Sequence, residues 1–240
     1  MNKMRILLIS DIHGNYPALE AVDRQVRAKS FDLIINGGDI TVYATYPNET
    51  LDWLREHNAV SILGNTDIKV LKLLQGKSFK KPGNAEKRIM YTWTAEHLTR
   101  KNREYLAGIG KTSILELGGQ RIGIFHGSPE NDKEHLFSDT PTTRFQELAK
   151  KTDCDIIITG HSHSPYHKKI NQVHFINPGS IGRMFDSNPE ASYGILEMEK
   201  NIKVSLYRCP YNVKKVIQGL RENLMPPIYE EMYRQGRKLN

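Results

Sequence analysis

Ile6-Leu7-Leu8-Ile9-Ser10-Asp11-Ile12-His13-Gly14-Asn15 is a run of four aliphatic residues that stops at polar side chains able to bind metal, followed by a glycine. An uninterrupted apolar run this short reads as a strand buried on both faces, with its C-terminal end opening onto Asp11 and His13. A helix should follow, because Ala18, Leu19, Val22 and Val26 recur at helical spacing and Pro17 suits a first helical turn. Leu33-Ile34-Ile35 repeats the strand pattern and stops at Asn36-Gly37-Gly38-Asp39. Leu51, Trp53 and Leu54 predict a second helix, and Val60-Ser61-Ile62-Leu63 a third strand ending at Gly64-Asn65-Thr66-Asp67. This βαβαβ alternation argues for a largely parallel sheet covered by helices.

Further along, a charged segment from about 67 to 110 reads as inserted helices with a loop at Lys80-Lys81-Pro82-Gly83-Asn84. Ser113 to Leu117 and Arg121 to Phe125 flank Gly118-Gly119-Gln120, a hairpin signal whose second strand delivers His126-Gly127. Ile156-Ile157-Ile158 is another buried strand, ending at Gly160-His161-Ser162-His163. Val173 to Ile176, Tyr193 to Met198 and Lys203 to Tyr207 complete a second set of strands. Val213, Val216, Ile217 and Leu220 then predict a helix, followed by a break at Pro226-Pro227 and an amphipathic stretch from Tyr229 to Arg237. The expected organisation is one domain over 1–240, with a core of about 4–207, an insertion of about 67–110 and a C-terminal helical extension of about 210–240.

Lys and Arg number 34 against 27 Asp and Glu, a net charge of +7. That excess suits phosphate-bearing ligands without singling out nucleic acid, and the basic stretches 69–103 and 214–238 read as solvated helix faces. Two cysteines, Cys154 and Cys209, make no disulfide framework and point to a reducing compartment. Four aliphatic residues before Ser10 are too few for a signal peptide or membrane span, so a soluble, cytoplasmic protein is expected. Oligomeric state is left open.

The strand ends together offer seven metal ligands: Asp11, His13, Asp39, Asn65, His126, His161 and His163. Each piece alone is commonplace, but five in this order specify a two-metal site. Two cations a few Å apart need a carboxylate that can bridge them, with neutral nitrogen and oxygen donors that avoid overcharging the site. Mixed imidazole and carboxylate ligation suits Mn²⁺, Fe²⁺ or Zn²⁺ better than Ca²⁺ or Mg²⁺. His57, His97, His135, His167 and His174 fall outside any such element and are read as surface or packing residues.

With DxH…GD…GNxD…HG…GHxH all present, the chain resembles the calcineurin-like metallophosphoesterases over about residues 4 to 207. It is most similar to a small bacterial and archaeal phosphodiesterase branch that shares the opening SDIHGN, the HGSP stretch from His126 and the NPGS stretch Asn177-Pro178-Gly179-Ser180. The resemblance implies an α/β fold, a four-layer α-β-β-α sandwich. It assigns Asp11, His13, Asp39 and His163 to one ion and Asp39, Asn65, His126 and His161 to the other, with Asp39 bridging. Two divalent ions are implied as cofactors, Mn²⁺ first, with Fe, Zn or Ni as alternatives.

The implied activity is hydrolysis of a small or nucleotide-like phosphodiester by a hydroxide bridging the ions. Many relatives carry His after the Asn of GNxD, where this chain has Thr66, whose hydroxyl cannot act as an acid near neutral pH. That departure predicts a preference for substrates with acidic leaving groups over alkyl monoesters. Asp67 is expected to orient a ligand or cap a helix, Asn15 to contact phosphate or cap the helix at Pro17, and Arg183 to clamp phosphate or lie on the surface. Tyr43 and Tyr46 are read first as packing residues. The competing functions are a phosphomonoesterase or dinucleoside polyphosphate hydrolase, a nuclease, and a non-enzymatic protein-binding scaffold of the same fold.

Overall fold

In the computed structural model, which describes residues 3–77 and 84–239, two five-stranded sheets pack face to face. The strands are β1 (Met4–Ile9), β2 (Leu33–Asn36), β3 (Val60–Ser61), β4 (Thr112–Leu117), β5 (Gln120–Phe125), β6 (Ile156–Ile158), β7 (Tyr166–Ile170), β8 (Val173–Asn177), β9 (Ala191–Met198) and β10 (Ile202–Cys209). The helices are α1 (Tyr16–Val26), α2 (Pro47–Glu56), α3 (Asn65–Leu74), α4 (Ala85–His97), α5 (Arg100–Ala107), α6 (Thr142–Ala149), α7 (Val213–Glu222) and α8 (Ile228–Gln235). One sheet runs β10-β9-β1-β2-β3, the other β4-β5-β6-β8-β7.

The strand alternation explains the layers. Successive side chains point to opposite faces, so Ile6 and Leu8 of β1 enter the core between the sheets with Ile35, Ile122, Ile124, Ile156, Ile158 and Ile176. Leu7 and Ile9 point the other way, onto Leu19 and Val22 of α1 and Leu51 and Leu54 of α2. On the far face of the second sheet, Ile157 and Phe175 pack under Phe145 and Leu148 of α6. The result is the expected α-β-β-α sandwich.

β1, β2 and β3 pair in parallel, as do β5, β6 and β8. Their C-terminal ends therefore open on the same side within each sheet, the arrangement in which loops of open α/β sheets build sites. The hairpin turn between β4 and β5 uses Gly118 at φ 56 and Gly119 at φ 70, the paired positive φ that a two-residue turn of matching twist demands.

Several expectations shift. β3 stops at Ser61 rather than Leu63, because the Leu63 N–H turns away to the Gly110 carbonyl at 2.8 Å. The charged segment forms α3, α4 and α5, and α3 begins at Asn65, so Asn65 and Thr66 sit in its first turn with Gly64 as N-cap. Residues 80–83 of the expected loop lie outside the described residues, while Asn84 caps α4 by accepting from the Lys87 N–H at 3.0 Å. β7 and α6 had no counterpart in the sequence reading. Cys154 and Cys209 are buried free thiols. Among the described residues, no helix is long and apolar enough to cross a membrane.

Candidate metal centre

The turns after β1, β2 and β6 are held in backbone conformations that side chains other than glycine rarely adopt. Asp11, His13, Asp39, His161 and His163 have φ of 51, 55, 53, 65 and 56°. Left-handed φ at several non-glycine residues is a local cost that the surrounding structure must enforce. The enforcement is visible in hydrogen bonds between the turns. The Asp11, His13 and Gly14 N–H groups donate to the carbonyls of Gly38, Asp39 and Ile40 at 2.9, 2.9 and 2.7 Å. Asn177 donates to the Gly160 carbonyl at 2.8 Å, and Ser180 Oγ to the Asp11 carbonyl at 2.7 Å, so the NPGS stretch ties the β6 turn to the β1 turn. Glycine is needed for close approach at Gly64, where a Cβ would lie 2.1 Å from Asp39 Oδ1, and at Gly160, where it would lie 2.2 Å from Ser10 Oγ.

Two clusters result. Asp11, His13 and His163 offer ligand atoms within 4.8 Å of one another, and so do Asp39, His126 and His161; each could hold a metal ion. Asp39 lies between them: its Oδ2 is 3.5 Å from His126 Nε2 and 3.9 Å from His13 Nε2. Asn65 Oδ1 is 3.2 Å from His126 Nε2.

The histidine tautomers define what these clusters want. His13 Nδ1 meets the Val42 carbonyl at 2.8 Å, His126 Nδ1 the Gly37 carbonyl at 2.8 Å, and His163 Nδ1 the Arg183 carbonyl. A carbonyl only accepts, so each Nδ1 carries the proton and a neutral ring presents a bare lone pair at Nε2. Yet His13 Nε2 and His163 Nε2 face each other at 3.1 Å, and His161 Nδ1 lies 3.2 Å from His126 Nε2. Ring nitrogens this close share a proton when no metal is present, and a cation held between them could take that proton's place.

Protonation preferences agree. Burial pushes His13 down to about 3 and His161 down to about 4, so both stay neutral. Burial also opposes charge on His126, but Asp39 outweighs it and raises His126 to about 10. Burial disfavours charge on Asp39 too, yet His126 and His13 hold its carboxyl well below the usual range. Without metal, a proton on His126 partly neutralises the carboxylates.

Asp67 caps α3 and braces the turn that carries Asp39. Its carboxylate accepts from the Gly64 N–H at 3.0 Å, closing the first turn of α3, and from the Ile40 and Thr41 N–H groups at 3.0 and 3.1 Å and Thr41 Oγ1 at 2.8 Å, fixing the Asp39 turn. Burial and the Asp39 charge raise it to about 6. Thr66 donates from both N and Oγ1 to Asp39 Oδ1, each at 2.8 Å, so its hydroxyl is committed to a carboxylate.

Asn15 is fully buried; it accepts from the Ala18 N–H at 3.1 Å and donates to the Gly182 carbonyl at 3.0 Å. Its side chain caps α1 and holds the Gly182 turn. Arg183 is not a surface residue: it is 8% exposed, and its guanidinium carbon lies 3.7 Å from the Tyr43 ring centroid. Tyr46 packs as expected, donating to the Lys215 carbonyl at 2.9 Å.

Above the clusters lies a cleft of about 120 Å³ onto which His13, Asp39, Asn65, Thr66, His161, His163 and Arg183 open. Lys87, His135, Phe185 and Lys238 also line it. None of these four was singled out from sequence as a site residue. His135 reads from sequence as a surface or packing residue, but its ring lies 4.1 Å from that of His161; Phe185 stacks on His163 at 4.4 Å. No motif surrounds these four, and only the tertiary fold brings them to the cleft.

Residues 4–201 match the family model of the calcineurin-like phosphoesterase superfamily domain. An uncharacterized protein of Methanocaldococcus jannaschii is 31% identical over 243 residues, covering 94% of this chain and 96% of that protein. The phosphodiesterase YfcE of Escherichia coli is 24% identical over 204 residues, covering 81% and 88%. Among solved structures, a metallophosphoesterase from Sphaerobacter thermophilus superposes with a TM-score of 0.81 at 26% identity, covering 98% of this chain and all of that one.

Proposed function

The chain belongs to the calcineurin-like phosphoesterase superfamily, and from that premise we propose that it is a dinuclear metal-dependent phosphodiesterase acting on a small or nucleotide-like substrate. Asp11, His13, Asp39 and His163 would hold one divalent ion, and Asp39, Asn65, His126 and His161 the other. The observation that carries this reading is the convergence of imidazole nitrogens and carboxylates on both sides of Asp39, the facing ring nitrogens 3.1 and 3.2 Å apart, with the opposite ring nitrogens of His13, His163 and His126 already committed to carbonyls. Two ions held there would lower the pKa of water shared between them and neutralise charge on the phosphoryl oxygens. Mn²⁺ is the first candidate for a site of mixed imidazole and carboxylate donors, with Fe, Zn or Ni as alternatives.

The remaining roles belong to the protein. Thr66 and Asp67 position Asp39 and its turn, and Asn65 fills the second ligand set from the first turn of α3. Arg183, held against Tyr43 and lining the cleft, would contact non-bridging phosphoryl oxygens. The engaged Thr66 hydroxyl offers no proton to a leaving group, which favours diesters whose leaving groups depart without protonation. The name of the Escherichia coli relative supports the diester reading.

The test is a phosphoester panel with metal-stripped protein reloaded with Mn²⁺, Fe²⁺, Zn²⁺ or Ni²⁺. Bis(4-nitrophenyl) phosphate is expected to be cleaved faster than alkyl monoesters. The opposite order would defeat the diester assignment, and equal activity of Asp39→Asn would defeat the metal assignment.

A further inference from the structure

Two lysines reach the cleft from outside the family's ligand motifs. Lys87 belongs to α4, one turn before Tyr91, and so shares its face. Tyr91 is buried with its hydroxyl 3.4 Å from that of Tyr43, and this contact turns the Lys87 face of α4 toward the cleft. Lys238 follows α8, beyond the region the family model matches. Its chain is tied down rather than loose: Gly236 accepts from the Ser187 N–H at 3.0 Å, and Arg237 Nε donates to Ser187 Oγ at 2.7 Å. These bonds anchor the tail to the loop that carries Phe185.

Asp39 is the one carboxylate among the described residues lining the cleft, and Asp11 lies buried in the cluster with His13 and His163; against these two, Lys87, Lys238 and Arg183 add three positive charges. Burial, together with the nearness of Lys238 and Arg183, pulls the Lys87 ammonium below its ordinary value despite the opposing charge of Glu86, so these cations crowd one another. Two divalent ions would add to that excess. A single phosphodiester carries one negative charge and cannot balance it. Two ammonium groups on separate elements, each a point charge with three donors, suit a dianionic phosphate.

We propose that Lys87 and Lys238 form a clamp for a second phosphate on the substrate, beside the scissile phosphoester, so that the enzyme prefers a doubly phosphorylated nucleotide-like diester. This inference rests on the phosphodiesterase reading above and assigns the α4 segment and the C-terminal tail to substrate selection.

The test compares two esters that differ by one phosphate: thymidine 5′-(4-nitrophenyl phosphate) and the same compound phosphorylated at the 3′ oxygen. The Mn²⁺-loaded enzyme should favour the second in kcat/KM by about tenfold or more, the effect of one charge-assisted contact set. In Lys87→Met/Lys238→Met that ratio should fall to about one. Calorimetric binding of thymidine 3′,5′-bisphosphate against thymidine 5′-phosphate should show the same preference and the same loss without turnover. A ratio near one in the unaltered enzyme, or one that survives in the double variant, overturns the clamp while leaving the phosphodiesterase reading intact. If neither ester is cleaved, that reading fails, and the calorimetric ratio alone decides the clamp.

Discussion

Metal uptake should release one proton per chain from His126, and up to one more from the water that the two ions would activate. In the metal-free protein, Asp39 holds this imidazolium up to about 10, so at pH 7.5 it is fully protonated, whereas a metal ligand must be neutral. His13 at about 3 and His161 at about 4 have no proton to lose at that pH, and Asp11 and Asp39 are held below the usual carboxylate range. Affinity for Mn²⁺ should therefore rise about tenfold per pH unit between the ordinary histidine value and about 10. The same sign governs the metal-free fold. Because the folded value of His126 is raised, its pairing with Asp39 contributes full stability below the unfolded value near 6.5, and that contribution is lost as pH climbs through about 10. Titration calorimetry of metal-stripped protein with Mn²⁺, in two buffers of different ionisation enthalpy, counts the protons directly. Release of none, or of three or four, would refute the reasoning, as would an unchanged count in His126→Gln.

Other substitutions test the scaffold around Asp39. Gly64→Ala would place a Cβ 2.1 Å from Asp39 Oδ1 and 2.3 Å from Asp39 N, so the turn must move, and kcat/KM for bis(4-nitrophenyl) phosphate should fall by about a hundredfold. Thr66→Val keeps the backbone bond to Asp39 but loses the hydroxyl bond at 2.8 Å, which should weaken Mn²⁺ binding by about tenfold; unchanged affinity would remove Thr66 from the positioning set. Arg183→Lys keeps the charge but gives up the planar stack on Tyr43, and KM should rise by about tenfold if the guanidinium meets the phosphoryl group.

The sandwich was legible because its buried strands announce themselves. Leu7, Leu8, Ile9 and Ile156 to Ile158 are apolar on both faces, as strands covered on both sides must be, and each such run ends at chemistry-bearing residues. β7 was illegible for the converse reason: Tyr166 and Ile170 are buried while His167 and Lys169 face solvent and Lys168 is half-buried, so no apolar run marks this sheet-edge strand. α6 buries only Phe145 and Leu148 over eight residues, too little periodicity to stand out. At the site, six of the seven candidate ligands lie in the turns just after strands and Asn65 opens α3, so sequence and space coincide. His135, Lys87 and Lys238 reach the cleft through tertiary packing alone, and a charged helix face looks the same in sequence whether it meets solvent or a substrate.

Titration of metal-stripped protein with Mn²⁺, following hydrolysis of bis(4-nitrophenyl) phosphate against ions bound per chain, tests the two-ion centre around Asp39 most directly. Activity should climb to a plateau at two ions per chain, and Asp39→Asn should show neither the second ion nor the activity. A plateau at one ion, or an Asp39→Asn curve that overlays the unaltered enzyme, would contradict the account.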